Sequence, residues 1–175
     1  MDVNLRDLSE LLREGQRRSR QGSYRRRSPD AAALPYLRQA REGLRRIVEE
    51  QPGNAQAWRL LARAEEVLLD YRSARIALEK VLAFEGGTDR RDVKKLASLR
   101  EHEAWWGGLG LTPAQLAELG CDLEMKLAGS PCDRTLRHTR TWLEHASLPI
   151  PDRVAQALED CGGHCDCQVL HNIVR

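Results

Sequence analysis

The sequence has few aromatic residues, no long apolar run and no large excess of charge of either sign. Aromatic residues make up 5% of the 175 residues, and this low content argues against an all-β fold. No apolar run approaches the roughly 18 residues of a membrane-spanning helix, and the charged start MDVNLRDLSELLREG lacks a secretory apolar core. The net charge is only +2, so nucleic-acid binding would need a local basic segment. We expect a globular, cytoplasmic protein that does not bind membranes.

The cysteines are odd in number, and four of the five lie after position 130. Disulfides are rare in the reducing cytoplasm, which is where a chain without an export signal stays. The cysteine pattern therefore favours a metal site over a disulfide framework.

The N-terminal residues combine a short amphipathic segment with a run of arginines. Leucines at helical spacing predict a helix from Val3 to about Arg13. The segment from Arg13 to Arg27 carries seven arginines and no apolar period. We interpret it as a solvated linker, and its alternative function is an arm that binds RNA or an acidic partner, with Tyr24 stacking on a base.

Residues 31–106 show an internal period of 34 residues within a series of predicted helices. They also contain Trp58 followed by Leu61 and Ala62 and then an Asp-Tyr turn, which resembles the tetratricopeptide repeat. The resemblance implies paired helices whose concave surface binds a protein or peptide. Glu65 departs from it, because that family usually has an aromatic residue there. The recurring positions are Ala40, Leu44, Ile47 and Pro52, matched by Ala74, Leu78, Val81 and Gly86.

The C-terminal residues predict helices first and a strand last. Thr112 is placed to cap a helix, and two shorter helices follow over Arg134 to about His145 and Pro151 to Asp160. The tail HCDCQVLHNIV is the best strand candidate in the chain. The predicted fold is mainly α, with tetratricopeptide-like hairpins packed through Trp105 and Trp106 onto a small α+β module. The predicted domains are 1–28, 29–108 and 109–175.

Three cysteines in this module lie in segments rich in glycine, proline or aspartate. Cys165 and Cys167 would present both sulfurs on one face of an extended segment. Cys132 would lie at a helix start, where backbone amides favour the thiolate. Zinc held by these three thiolates is the predicted cofactor, with His138 as the favoured fourth ligand. Cys161, His164, His171 or a water molecule are the alternatives for that position.

Two longer motifs resemble a bacterial family of unknown function. They are Cys-Asp-x-Thr-Leu-Arg-x-Thr, which begins at Cys132, and Gly-Gly-x-Cys-Asp-Cys-x-Val-Leu, which begins at Gly162. The resemblance covers roughly residues 110–174 and implies that Cys132, Cys165 and Cys167 belong to one site. Arg134 and Gln168 depart from the family pattern, where histidine and glutamate are expected.

The function predicted from these features is a protein-interaction or adaptor protein with a structural zinc site. One alternative is a zinc-dependent hydrolase with Asp133 or Asp166 as general base, and a second is a thiol-redox enzyme. A third is nucleic-acid binding through Arg13 to Arg27. The expected partner is a protein or peptide, and the sequence is compatible with a homo-oligomer.

Overall fold

The protein is mainly helical and divides into two compact units. The computed structural model describes residues 4–19, 21, 28–87, 89–129 and 131–174. The units are Met1–Ala104 and Trp105–Arg175, referred to below as the N-terminal and C-terminal units. Within the described residues, no helix combines the length and the apolar character needed to cross a bilayer.

Helices of the N-terminal unit begin where side chains can satisfy their free N–H groups. The side-chain oxygens of Asn54 and Asp70 accept hydrogen bonds from the N–H groups of Ala57 and Ser73, each at 3.0 Å. Such caps satisfy donors that have no partner within the helix. Contacts join α1 to α2, α2 to α3 and α3 to α4. The helices are α1 (Leu5–Ser19), α2 (Leu34–Glu50), α3 (Ala55–Val67), α4 (Tyr71–Phe84) and α5 (Arg90–Leu109), whose last residues belong to the C-terminal unit.

Two glycines bring α1 and α2 into close contact. A Cβ atom on Gly15 would lie 2.6 Å from Cδ2 of Leu37, and one on Gly43 would meet Cδ2 of Leu8. Each glycine on one helix therefore receives a leucine from the other. This reciprocal packing buries Leu8 and Leu37 almost completely.

Helix α1 continues beyond its predicted end at Arg13. Glu14 forms ion pairs with Arg17 at 2.7 Å and with Arg18 at 2.5 Å, and these pairs stabilise the last turn. The first part of the predicted linker is thus helical as far as Ser19. Positions 20 and 22–27, which include Tyr24, lie outside the described residues.

A buried carboxylate paired with a partly exposed arginine occupies the position where the tetratricopeptide pattern has an aromatic residue. Glu65 on α3 is only 2% exposed, and its Oε1 accepts hydrogen bonds from Nε and Nη2 of Arg45 at 3.0 and 2.6 Å. Burial raises the pKa of Glu65, and the Arg45 hydrogen bonds oppose that shift. The pair joins α2 to α3 by a charge contact in place of ring packing.

The C-terminal unit encloses an apolar core of its own. Buried leucines of α6 and α7 lie in this core together with Leu158 and Ile173. Trp105 and Trp106, whose rings meet edge to face at 4.9 Å, pack against it. The elements are α6 (Pro113–Gly129), α7 (Arg137–His145), α8 (Pro151–Asp160), the short α9 (Asp166–Gln168) and a C-terminal π-helix (Val169–Val174).

The predicted C-terminal strand is wrong. Residues 166–174 are helical, and no strand occurs in any of the described ranges. The buried residues Val169, Leu170 and Ile173 recur at intervals of one and three, which fits a helix face and not the alternation of a strand. The module is therefore helical instead of α+β.

Candidate metal centre

The structure brings together Cys132, Cys165 and Cys167. Their three Sγ atoms all lie within 4.8 Å of one another, and Sγ of Cys165 is 3.1 Å from Sγ of Cys167. Cys165 is buried, while the other two are partly exposed. The sequence grouped the same three residues, and the cluster could bind a metal ion.

Cys132 lies in a tight loop that precedes α7. Its sulfur accepts a hydrogen bond from the N–H of Arg134 at 3.4 Å, and Arg134 has a φ of 64°, a region that non-glycine residues rarely occupy. Asp133 accepts two hydrogen bonds from Thr135, from its N–H at 3.0 Å and its hydroxyl at 2.6 Å. Because α7 begins only at Arg137, the prediction that Cys132 starts a helix is wrong.

The other two cysteines follow a glycine turn that ends α8. Gly162 has a φ of +87°, and its N–H donates to the carbonyl of Glu159 while the N–H of Gly163 donates to that of Leu158. These two bonds form a Schellman motif, which requires the left-handed conformation that glycine adopts without a steric cost. The turn delivers the chain to Cys165, whose extended backbone ends at the start of α9.

Asp166, between the two cysteines, is 1% exposed and fully hydrogen-bonded. Its Oδ1 accepts from the N–H and the hydroxyl of Thr139 at 2.9 and 2.7 Å, and its Oδ2 accepts from the N–H of His138 at 3.0 Å. The carboxylate thereby caps α7, since Leu136 at the N-cap position supplies no side-chain bond. Its own N–H donates to the carbonyl of Thr135 at 2.9 Å.

The crowding of the sulfurs shapes their acidity. Hydrogen bonds from the N–H groups of Cys167 and Arg134 lower the pKa of the Cys132 thiol. The pKa of Cys167 is raised to about 12, first because of its hydrogen bond to Cys165 and then because of its bond to Cys132. Without a cation, three negative sulfurs at this distance repel one another. A metal ion that binds them would remove this repulsion and release protons.

The predicted fourth ligand lies on the first turn of α7. Nε2 of His138 is 3.3 Å from an Nη atom of Arg137, and His138 is outside the group whose ligand atoms lie within 4.8 Å. Cys161 is partly exposed at the end of α8, and His164 and His171 are exposed. The identity of the fourth ligand stays a prediction.

Cys121, Asp166 and Thr139 have surroundings that the sequence did not predict. Free cysteines are usually buried, so a cysteine within a predicted helix is expected in the core. Cys121 is instead exposed, because the buried face of α6 contains Leu119, Gly120 and Leu123. The sequence suggested Asp166 only as a general base and suggested no role for Thr139, although the two residues are hydrogen-bonded to each other. The signal for Thr139 was a polar residue between Leu136 and Leu143 on an apolar helix face, where an unpaired hydroxyl is costly.

A cavity in the C-terminal unit lies apart from the thiols. Its volume is about 220 Å³, and its lining includes Gly107, Gly110, Ile150 and Arg153. None of the three cysteines lines it. The thiol cluster does not line this cavity, and the partial exposure of Cys132 and Cys167 places the cluster near the protein surface.

Comparisons with known proteins find similarity to part of the chain. The chain is 32% identical over 59 residues to the uncharacterized protein Rv2271 of Mycobacterium tuberculosis and to the uncharacterized protein Mb2294 of Mycobacterium bovis. The match covers 34% of this chain and 59% of each relative. No solved structure matches the chain. Residues 116–172, which contain all three clustered cysteines, match the family described as "Protein of unknown function (DUF2695)".

Proposed function

We propose that the C-terminal unit is a zinc-binding module in which Cys132, Cys165 and Cys167 supply thiolate ligands. The observation that carries the proposal is the grouping of the three sulfurs within 4.8 Å. With zinc–sulfur bonds of about 2.3 Å in tetrahedral geometry, sulfurs on one ion lie about 3.8 Å apart. The cluster therefore needs only small movements to bind, and thiolates favour zinc among the common divalent cations.

His138 is the proposed fourth ligand. Asp166, which separates Cys165 from Cys167, accepts a hydrogen bond from the His138 N–H and so ties its backbone to the cysteine segment. To bind the metal, the imidazole of His138 would have to give up its contact with Arg137 and rotate toward the sulfurs. Three thiolates and one imidazole form a closed tetrahedral site, which is typical of structural zinc.

Two observations favour a structural role over hydrolysis. Asp166 has both carboxylate oxygens occupied by hydrogen bonds and is buried, so it is poorly placed to accept a proton from water. Asp133 is held by Thr135, whose hydrogen bonds lower the pKa of the carboxyl group and make it a weaker base. A redox role is also less favoured, because Cys-x-Cys departs from the usual Cys-x-x-Cys spacing.

We predict that protein purified without added zinc contains about one zinc ion per chain. Cys165→Ser removes the buried thiolate and should leave little bound zinc, whereas Cys121→Ser, at an exposed cysteine outside the cluster, should bind as the wild type does. Plasma emission spectrometry of the dialysed proteins measures the content. Folded, reduced wild-type protein without metal would contradict the proposal.

The zinc affinity of His138→Ala, measured by competition with a chelator, tests the fourth ligand. If His138 binds zinc, we expect the affinity to fall and a water molecule to take its place. Unchanged affinity would assign the position to Cys161, His164, His171 or water. A water ligand in the wild type would favour the hydrolase alternative, because catalytic zinc keeps an exchangeable position.

For the N-terminal unit we propose binding of a protein or peptide partner through tetratricopeptide-like hairpins. Helices α1 with α2 and α3 with α4 form two contacting pairs, as such repeats do. Buried Ala40 and Leu44 on α2 correspond to buried Ala74 and Leu78 on α4, 34 residues later. The exposed Phe84 and Ile76 of α4 offer apolar contact area to the partner.

Replacement of Phe84 tests this proposal. Phe84 is 49% exposed, so Phe84→Asp should leave the helices intact and lower partner capture about tenfold if the ring is an interface anchor. Met125→Asp, at a side chain that is 71% exposed in the C-terminal unit, is the matched control. Quantitative mass spectrometry of captured proteins measures the effect, and equal capture by all three proteins would contradict the proposal. A shift to monomers in light scattering would identify the partner as a second copy.

The nucleic-acid alternative rests on Arg13 to Arg27. Within the described part, Arg17 and Arg18 form ion pairs with Glu14, which reduces the charge that they offer to phosphate. The alternative predicts salt-sensitive binding that is lost when the arm is deleted. The proposed compartment is the cytoplasm, where reduced thiols remain available to a metal ion.

A further inference from the structure

We infer that Asp166, which is not itself a ligand, determines how tightly the thiol cluster binds metal. The inference rests on the proposed zinc function and concerns the residue between Cys165 and Cys167. Because its two neighbours both supply ligands, any movement of Asp166 moves two of the three sulfurs.

The carboxylate fixes α7 relative to the cysteine segment. It accepts hydrogen bonds from the N–H groups of His138 and Thr139, which are the second and third residues of the helix. These N–H groups have no partner within α7, and the helix dipole favours a negative charge at this end. Two backbone bonds and one hydroxyl bond leave the side chain little freedom to rotate.

The backbone of Asp166 fixes the loop that carries Cys132. Its N–H donates to the carbonyl of Thr135 at 2.9 Å, three residues after Cys132. Arg134, between them, adopts a positive φ and donates its N–H to the Cys132 sulfur. The loop is therefore held at both ends, by Asp166 on one side and by the sulfur on the other.

One residue thus connects every segment that contributes to the site. Its side chain binds the helix of His138, its N–H binds the loop of Cys132, and its covalent neighbours are Cys165 and Cys167. Groups that orient ligands without contacting the metal commonly change metal affinity by about 10–100-fold when they are replaced. Asp166 is a positioning residue in this sense, and burial removes the water that could substitute for it.

The test measures Co²⁺ affinity of the full reduced chain by competition with a chelator, using thiolate-to-cobalt charge-transfer absorption. Asp166→Asn keeps the shape of the side chain but replaces one carboxylate oxygen by an NH₂ group. This group cannot accept the hydrogen bond that a backbone N–H of α7 donates to the oxygen in the wild type. Thr139→Val removes one hydroxyl bond at a fully buried site, and Thr139→Ser restores that hydroxyl. Thr112→Ala is the control, because it removes the cap of α6 in the same unit without touching these bonds.

We expect Asp166→Asn to weaken Co²⁺ binding about 10–100-fold, with a smaller loss in Thr139→Val that Thr139→Ser restores. Thr112→Ala should lower thermal stability and leave affinity within about twofold of wild type. If Asp166→Asn does not fold, the test is whether Thr139→Val weakens Co²⁺ binding and Thr139→Ser restores it. Wild-type affinity in Asp166→Asn or Thr139→Val, or an equal loss in Thr112→Ala, overturns the inference. Absence of Co²⁺ binding by the wild type would instead refute the proposed zinc function, and the inference with it.

Discussion

If the thiol cluster holds zinc as proposed, removal of the zinc is expected to lower the melting temperature of the C-terminal unit by about 15–30 °C. A ligand present at a thousand times its Kd stabilises the folded state by about 4 kcal/mol, and each kcal/mol shifts the melting temperature of a unit of this size by roughly 4–8 °C. Without the metal, the apolar core of the unit should keep part of its helical structure. The loss should therefore be greatest near the thiols, in residues 131–145 and 164–174.

Hydrogen exchange read out by mass spectrometry measures this result segment by segment. Exchange with chelator should increase in α7 and in the C-terminal π-helix and stay unchanged in α2 to α4, which belong to the other unit. Without any chelator, Cys165→Ser should already show the increased exchange that the wild type shows with chelator. Cys121→Ser should exchange as the wild type does. Equal exchange with and without chelator would show that the metal does not support the fold.

Gly163→Ala is expected to destabilise the C-terminal unit by about 1–3 kcal/mol or more. A Cβ atom there would lie 2.8 Å from Cδ1 of Ile173, 2.8 Å from Cγ2 of Val169 and 2.9 Å from the carbonyl oxygen of Leu158. Two of these atoms belong to flexible side chains, but the third belongs to the backbone of the turn that ends α8. The clash can be relieved only by opening the Schellman motif.

Urea denaturation of zinc-loaded protein measures the loss, and two other glycines serve as comparisons. Gly162→Ala meets no close atom but keeps a φ of +87°, so its cost should be about 1–2 kcal/mol. Gly107→Ala, in α5 with nothing within 4 Å of its Cβ, should stabilise by up to about 1 kcal/mol. A similar stability of all three variants would mean that the close approach at Gly163 is not what limits the turn.

Several helix starts could be predicted because single residues determine them. Thr112 and Gln115 form a capping box, in which the N–H of Gln115 donates to the Thr112 hydroxyl at 3.2 Å and the Thr112 N–H donates to Oε1 of Gln115 at 2.9 Å. Pro52 and Gly53, a pair typical of turns, follow the end of α2 in the same local way. Such signals depend on neighbours in sequence, which is why they can be read without a structure.

Helix ends and the C-terminal strand were less predictable because burial decides them. Two consecutive glycines favour a helix end, but α5 continues through Gly107 and Gly108 to the buried Leu109. The pattern of HCDCQVLHNIV is ambiguous, since Cys165 is extended and the residues after it are helical. Only the packing of Val169 and Ile173 in the core selects between the two interpretations.

The grouping of the three cysteines was predictable from the sequence, and the residues that support them were not. Cys132, Cys165 and Cys167 stand out because their chemistry is rare, so composition and spacing suffice. The roles of Asp166 and Thr139 depend on a hydrogen bond between residues 27 positions apart. The sequence shows that Thr139 is a polar residue on an apolar helix face, but nothing in it identifies Asp166 as the partner. The positive φ of Arg134 is equally hidden, because arginine gives no indication of an unusual backbone.

The bond between Asp166 and the His138 N–H has an entropic consequence for metal capture. It closes a loop of 28 residues, and bringing the ends of such a loop together costs roughly 3 kcal/mol in chain entropy. Hydrogen bonding and packing offset this loss of chain entropy when the chain folds, before any ion binds. An incoming ion then encounters sulfurs that are already neighbours, so its binding free energy is not reduced by the search of a disordered chain for its ligands.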